Sequence, residues 1–375
     1  MSPRRVGWLL AAAVAVIGSA IWLSSRRHLE RDLAAGELVL PGLEQNVNAV
    51  TTVSVRKGDD THATLQRDGS GWSVAERQWP ADVTKVRKLL LALGALNIVE
   101  EKTRLPANYP QLGVEDVNSP KATGTRVDVV TPARTWALIV GRSSGAKSGY
   151  VRVANAPQSL LAAPLLSVDA DPKTWLEHTL VDVPAERVRQ IEERPAQGAA
   201  FTATREKKED ANFTVSPIPK GRQLTGPAAA ATLAGALGSL SLDDVRKAPA
   251  AADSPLSHVV FRTFDGLEVE LAGRKDGTHP LVLISARSTA KESEAQAQSL
   301  EARAKGWEFE IPDYKYAAIF TPLEDLLQKP PAPVPAKKSA AHKPPSESKP
   351  SASNAAGHAP GADAAAAAPA AAPAK

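Results

Sequence analysis

The chain has 375 residues, 43% of them apolar, a length that corresponds to roughly two to three domains with enough apolar residues for a sizeable core. It has no cysteine, which excludes disulfide frameworks, thiolate metal sites, iron–sulfur clusters and cysteine nucleophiles. The net charge of +4 belongs to the ends: residues 1–32 carry five arginines against Glu30 and Asp32, residues 330–375 carry five lysines against Glu347 and Asp363, and the body between them is left at −2, without the basic footprint that nucleic acid requires.

Val6 to Leu23 is an 18-residue run without a charge. As a helix it would extend roughly 27 Å, enough for the hydrocarbon core of a bilayer. Arg4 and Arg5 precede it, Arg26 and Arg27 follow it, and Trp8 and Trp22 stand near its ends, where indoles favour the headgroup region. Residues 1–32 are therefore expected to be a single-pass anchor that contacts membrane lipid through residues 6–23. A cleaved signal peptide is the competing reading. Against it, Ala13-Val14-Ala15 comes too early, and Ile21-Trp22-Leu23 continues the apolar run past Gly18-Ser19-Ala20. The short N-terminal tail before a large domain favours an N-terminus in the cytoplasm and a body in the periplasm.

Residues 33–183 are expected to form a first α+β module. Val50 to Val55 alternates apolar and polar residues as a half-buried strand does. His62–Gln66 and Trp72–Val74 continue a meander through the Asp68-Gly69 turn. Asp82 is placed to cap a helix, with Val83, Val86, Leu90 and Leu93 on one face and Gly94 at its end. Arg126–Val130 and Thr135–Val140 flank Thr131-Pro132-Ala133-Arg134, and Tyr150–Val153 adds a strand. A closing helix is expected from Asp171-Pro172 through Trp175 and Leu180.

Residues 184–329 are expected to repeat the plan. Val188–Glu192, Ala200–Thr204 and Phe213–Val215 read as strands, and Thr225 with Pro227 as a helix start leading to Leu233 and Leu237. His258–Phe264 and Leu267–Ala272 flank Asp265-Gly266, the strongest hairpin signal in the chain. Leu281–Ser285 follows. Residues 287–305 are polar and helical in propensity, an exposed excursion rather than core. Trp307–Ile311 alternates as a strand, and Tyr316–Leu327 forms a terminal turn or helix. The halves match in detail. Leu93 to Glu100 reads like Leu237 to Asp244, which places Glu100 against Asp244. Val127 to Arg142 matches Val259 to Arg274 at a constant offset of 132, and Val50 and Val53 resemble Val188 and Ile191. The expected class is α+β, with two similar antiparallel β-rich modules in tandem. Residues 330–375, rich in proline, alanine and lysine, are expected to be a disordered tail.

Chemical motifs are weak. Gly141 to Ser148 approaches a phosphate loop, but alanine stands where its second glycine belongs and a strand pattern follows; a hairpin loop fits better. None of the seven histidines has zinc-protease spacing, and no serine sits in a nucleophile elbow. The carboxylate pairs Asp59-Asp60, Glu100-Glu101, Glu192-Glu193 and Asp243-Asp244 read as solvated turns or element ends. Trp72, Trp136, Trp175 and Trp307 read as core anchors. Trp79, before Pro80 in a connecting loop, is the candidate for an exposed partner contact. No catalytic, cofactor-binding or metal-binding residue is identified.

The anchor is followed by Gly36 to Leu43, Val47-Asn48-Ala49-Val50, Leu65 to Trp72, Pro80-Ala81-Asp82 before a leucine-rich helix, and Leu112-Gly113-Val114-Glu115-Asp116. In this combination the chain resembles the domain of unknown function 4340 family, closely over roughly 36–185 and less so over 186–329. The resemblance implies a membrane-anchored accessory subunit like those beside gliding-motility-type ABC transport systems, with transporter subunits as partners, and supplies no catalytic residues. The expectation is a non-catalytic accessory or scaffold protein. A module binding envelope polymer or a small ligand between the two halves is the alternative.

Overall fold

The computed structural model describes residues 36–69, 71–249 and 256–329. The apolar run 6–23 and the segment 330–375 lie outside the described residues. Among the described residues no helix is long and apolar enough to cross a membrane. The chain divides into two units, 1–329 and 330–375, so both expected modules fall within one.

Alternating strand patterns build two large antiparallel sheets. The first contains β1 (Thr52–Lys57), β2 (His62–Asp68), β3 (Gly71–Val74), β4 (Trp79–Pro80), β5 (Asn97–Glu101), β6 (Thr125–Val130), β7 (Thr135–Ser144), β8 (Ser148–Val153) and β9 (Ser159–Ala163), in the order β4-β3-β2-β1-β6-β7-β8-β9-β5. After β10 (Thr179–Val181), the second sheet takes β11 (Val188–Arg194), β12 (Phe201–Thr204) and β13 (Thr214–Ser216). It passes over β14 (Leu240–Ser241) and continues with β15 (Asp244–Lys247), β16 (Ser257–Thr263), β17 (Leu267–Asp276), β18 (His279–Ser288) and β19 (Trp307–Glu310). Its order is β13-β12-β11-β16-β17-β18-β19-β15, the path of the first sheet with β4 omitted. β10 and β14 pair in a small sheet of their own. Buried side chains from both large sheets form one continuous apolar cluster, so the halves are not separate beads.

Register within each sheet follows a matching pattern. Val53 pairs with Val129, and Ile191 with Phe261; all four are buried. The offset of 132 holds from β6 to β16 but not beyond the hairpin. Val127 faces Leu138, whereas Val259 faces Leu271, one position further along. A one-residue slip reverses the face of every later side chain. Gly273 therefore occupies the register position of Val140 rather than Gly141, opposite Ser257 as Val140 is opposite Thr125. The Phe320 ring fills its missing side chain; a Cβ at Gly273 would come within 2.3 Å of that ring. The match of Glu100 to Asp244 also fails. Asp244 opens β15 opposite Glu310 as Asn97 opens β5 opposite Ala163. The second half has three extra residues, 241–243, before its edge strand, and the first of them, Ser241, belongs to β14.

The longest helix of the first half, α1 (Val83–Gly94), starts where Asp82 accepts hydrogen bonds from the N–H groups of Thr84 and Lys85. Val86, Leu89, Leu90 and Leu93 are buried, while Val83 is on the outer face, contrary to the expected stripe. The closing helix shrinks to a single 3-10 turn, Pro172–Trp175, before the chain extends into β10. The Thr225 helix is reduced to one turn at Ala231–Ala234. The polar segment is helical as α2 (Lys291–Ala304), but it is not a free excursion. Ser293, Ala297, Leu300 and Ala304 are buried on one stripe against β17 and β18. Three of these four are small, so their spacing produces little hydrophobic contrast. A last helix, α3 (Asp313–Ile319), precedes a final turn at Leu323–Leu326.

Candidate functional site

A cluster of charged and aromatic side chains lies where the two sheets meet. The β3–β4 hairpin turns tightly at Gln78, whose φ is +52°, and brings Arg77 and Trp79 to the edge of the first sheet. The following backbone is held by 175–177: Glu177 N donates to Pro80 O and Asp82 N to Trp175 O, both at 2.8 Å. Trp79 was expected to be exposed. Instead it is only 2% exposed. Its Nε1 donates to Glu177 O at 3.0 Å, which satisfies the one polar atom that burial would otherwise strand. Its ring stands edge-on to Trp307 at 5.4 Å and to Phe309 at 5.2 Å, both from β19 of the second sheet. The partner it touches is the other half of its own chain.

Beside this aromatic contact runs an ion-pair network. Arg77 grips Asp244 with two hydrogen bonds, Nε to Oδ1 at 2.6 Å and Nη2 to Oδ2 at 3.1 Å, the planar fork that suits guanidinium and carboxylate. Lys173 Nζ lies 3.2 Å from Asp244 Oδ2 and 3.9 Å from Glu310 Oε2. Burial pushes the Asp244 carboxyl up, but hydrogen bonds from Arg77, the Val245 N–H and Lys173 outweigh it and hold it below the usual carboxylate value. The hydrogen bond to Asp244 in turn raises Arg77. Its neighbour Asp243 lacks such partners and is raised, first by burial and then by the charge of Glu310. The small sheet closes the junction. His178 Nδ1 lies 2.7 Å from Leu242 O, and Ser239 N donates to Asp182 Oδ1 at 2.7 Å. Arg303 of α2 donates to Leu180 O.

An open cleft of about 210 Å³ adjoins the network, lined by Asp244, Arg246, His279, Glu308 and Glu310 among others. Glu308 is buried between Arg246 at 2.8 Å and Arg274 at 3.0 Å. His279 Nδ1 lies 2.7 Å from Glu310 Oε1. The cleft carboxylates thus face cations or a histidine within the chain. Such a network fixes the two sheets against each other and presents polar groups along a groove. Among the described residues, no group of three or more histidine, aspartate or glutamate side chains is placed to hold a metal ion.

The other motifs scatter. Gly141–Ser148 is the β7–β8 hairpin, turning at Gly145 with φ +78°. Trp136 and Trp175 are buried, and Trp72 and Trp307 pack on the core at partial burial. Glu100 pairs with Lys102 away from the junction. Glu192 and Glu193 face opposite sides of β11, as neighbours on a strand must, but Glu193 is not solvated: it is 2% exposed. Arg77, Lys173 and Asp244 carried no local signal, because their meeting depends on partners up to 167 residues apart. A family model described as a domain of unknown function (DUF4340) matches residues 47–258, more than half of the chain. No curated protein and no solved structure matches it.

Proposed function

The chain belongs to the DUF4340 family, and from that membership we propose that it is a membrane-anchored, periplasmic accessory or scaffold protein of an ABC-type transport complex, without catalytic activity of its own. In this reading residues 6–23 hold it in the cytoplasmic membrane and two copies of one α+β unit form the body. The observation that carries the reading is the fixed junction. One continuous core, an aromatic contact and a mutually neutralised ion-pair network suit a rigid platform that presents sheet edges to partners. β13, with only β12 beside it among the described residues, is such an edge. The test is purification of the full-length protein from native membranes in mild detergent, followed by crosslinking and mass spectrometry. Reproducible recovery of transporter subunits, weakened when residues 1–32 are removed, is expected. Recovery of the protein alone, under conditions that preserve other complexes, contradicts the proposal.

The cleft favours a second reading, a binding site for envelope polymer fragments or a small polar ligand at the junction. His279 and Arg246 are half or more exposed there and could donate to such a ligand. Thermal stabilisation by a panel of glycan fragments, lost in His279→Ala, would favour this reading over the platform.

A further inference from the structure

The outer face of α1 is unusual for a water-facing helix. Val83, Arg87 and Leu91 recur every fourth residue and form one stripe, with Val83 51% and Leu91 56% exposed. The helix carries Lys85, Arg87 and Lys88 and no acidic residue. Lys85 is engaged by Asp82 and Thr174 O. Arg87 and Lys88 are exposed and have no hydrogen-bond or ion-pair partner among the described residues. A groove of about 360 Å³ runs alongside, lined by Lys88, Leu89, Ala92, Leu165 and Trp175 among others, and Leu165 adds a further exposed apolar side chain. Apolar side chains interleaved with unpaired cations fit an interface that is greasy below and negatively charged above.

The route of the chain points to the same surface. Gly36 N donates to Ile98 O at 2.8 Å, Leu38 bridges Asn97, and the backbone of Glu44 lies against Gly94 at the end of α1. The polypeptide leaving the apolar run at Leu23 therefore enters the fold beside the C-terminal end of this helix. The twelve intervening residues, 24–35, reach at most about 40 Å, whereas α1 is roughly 18 Å long. We infer that the face of α1 bearing Val83, Arg87, Lys88 and Leu91 docks on the surface of an anionic lipid bilayer. The inference rests on the reading of residues 6–23 as membrane-inserted. Docking there brings the exposed face of α1 to the bilayer surface and gives the platform a second point of attachment besides residues 6–23.

The chain has no cysteine, so single labels are straightforward. Full-length Leu91→Cys and, as an exposed control on α3, Tyr314→Cys are labelled with a fluorophore. They are reconstituted into phosphatidylcholine vesicles with or without phosphatidylglycerol, together with a headgroup-nitroxide lipid quencher. The label at position 91 is expected to be quenched more strongly than that at 314 in the anionic vesicles. The difference should fall in high salt and in phosphatidylcholine alone. Arg87→Gln with Lys88→Gln should lower the docked-to-undocked ratio roughly thirtyfold, with an unchanged thermal melt showing that the fold is intact. Protein that resists alkaline extraction but shows equal quenching at both positions overturns the docking face and leaves the anchor standing. Protein that alkaline extraction removes overturns the anchor and this inference together.

Discussion

At the scale of single residues, Glu193 stands out among the described residues as a buried carboxyl without an ion-pair partner. In the first sheet Val55 faces Val127 across β1 and β6; in the second, Glu193 faces Val259 across β11 and β16. A carboxyl thus stands at a register position that is valine in the other sheet. Its Oε1 has no hydrogen-bond partner, and burial pushes its pKa up to about 9. The titratable neighbour facing it is Tyr316 of α3, whose hydroxyl is raised first by burial and then by the charge of Glu193. Because the folded pKa lies above the ordinary value of 4.5, the folded chain holds a proton that the unfolded chain releases between those two values. Stability attributable to this group is complete at acid pH and falls as pH rises through that window. At pH 7 the penalty is roughly 3 kcal/mol. Glu193→Gln is therefore expected to stabilise the protein at neutral pH and to flatten the decline between about pH 5 and 8, read by urea unfolding at several pH values. Equal slopes in mutant and wild type would show that the carboxyl ionises without cost. Glu192, Glu268 and Asp265 act in the opposite sense. Burial raises all three, but it is outweighed at Glu192 by hydrogen bonds from Arg262 and Arg194, at Asp265 by hydrogen bonds from Thr263 and Arg187, and at Glu268 by Arg287 and Arg262, so their contribution is lost as pH falls through their lowered pKa values.

At the scale of elements, the β3–β4 hairpin is the piece that joins the halves. Truncating a fully buried tryptophan costs about 3–5 kcal/mol. Trp79→Ala is expected to fall in that range, because Trp307 and Phe309 lose their edge-on contact and Glu177 O loses a donor. Chemical denaturation measures it, and a loss below 1 kcal/mol would mean that the junction closes without the ring. The Arg77–Asp244 pair is flanked by Lys173, so the partners are not equivalent. Removing Asp244 takes the hydrogen-bonded carboxylate from Arg77 and leaves Lys173 with Glu310 at 3.9 Å, whereas removing Arg77 leaves Asp244 with Lys173 at 3.2 Å. Asp244→Asn should therefore destabilise more than Arg77→Met. A double-mutant cycle should give a coupling of about 1–3 kcal/mol. Additive losses would reduce the pair to surface decoration.

At the scale of the molecule, the shared core has a thermodynamic consequence. The two sheets contribute to one continuous apolar cluster, and the two halves of the chain share the β10–β14 pairing, so neither half completes its burial alone. Full-length protein is expected to show one cooperative calorimetric transition for residues 36–329, with calorimetric and van't Hoff enthalpies in agreement. Trp79→Ala should shift that transition as a whole. Two resolved transitions would mean that the halves fold independently. A rigid body also suits the platform reading, since a partner docked on either sheet then experiences one fixed geometry.

Much of the local structure was legible in the chain. The alternation in Val50–Val55, the Asp265-Gly266 turn and the cap at Asp82 identify their elements, because strand period, turn conformation and capping depend on residues a few positions apart. Most strands of both large sheets were legible for the same reason. Short elements were overread: the apolar residues of 171–180 and 225–237 suit a helix by propensity, but extended pairing of β10 with β14 and tertiary packing limited them to single turns. The stripe of α2 was missed because serine and alanine bury without announcing it. What only the tertiary structure decided is which side chains meet. Trp79 is buried, Arg77 finds Asp244, Glu193 loses its water, and the offset slips by one in the β16–β17 hairpin. Each depends on a partner in another element, often in the other half of the chain. Pattern along the chain specifies which face of an element is apolar, but burial and charge pairing are properties of the surfaces that close over that face.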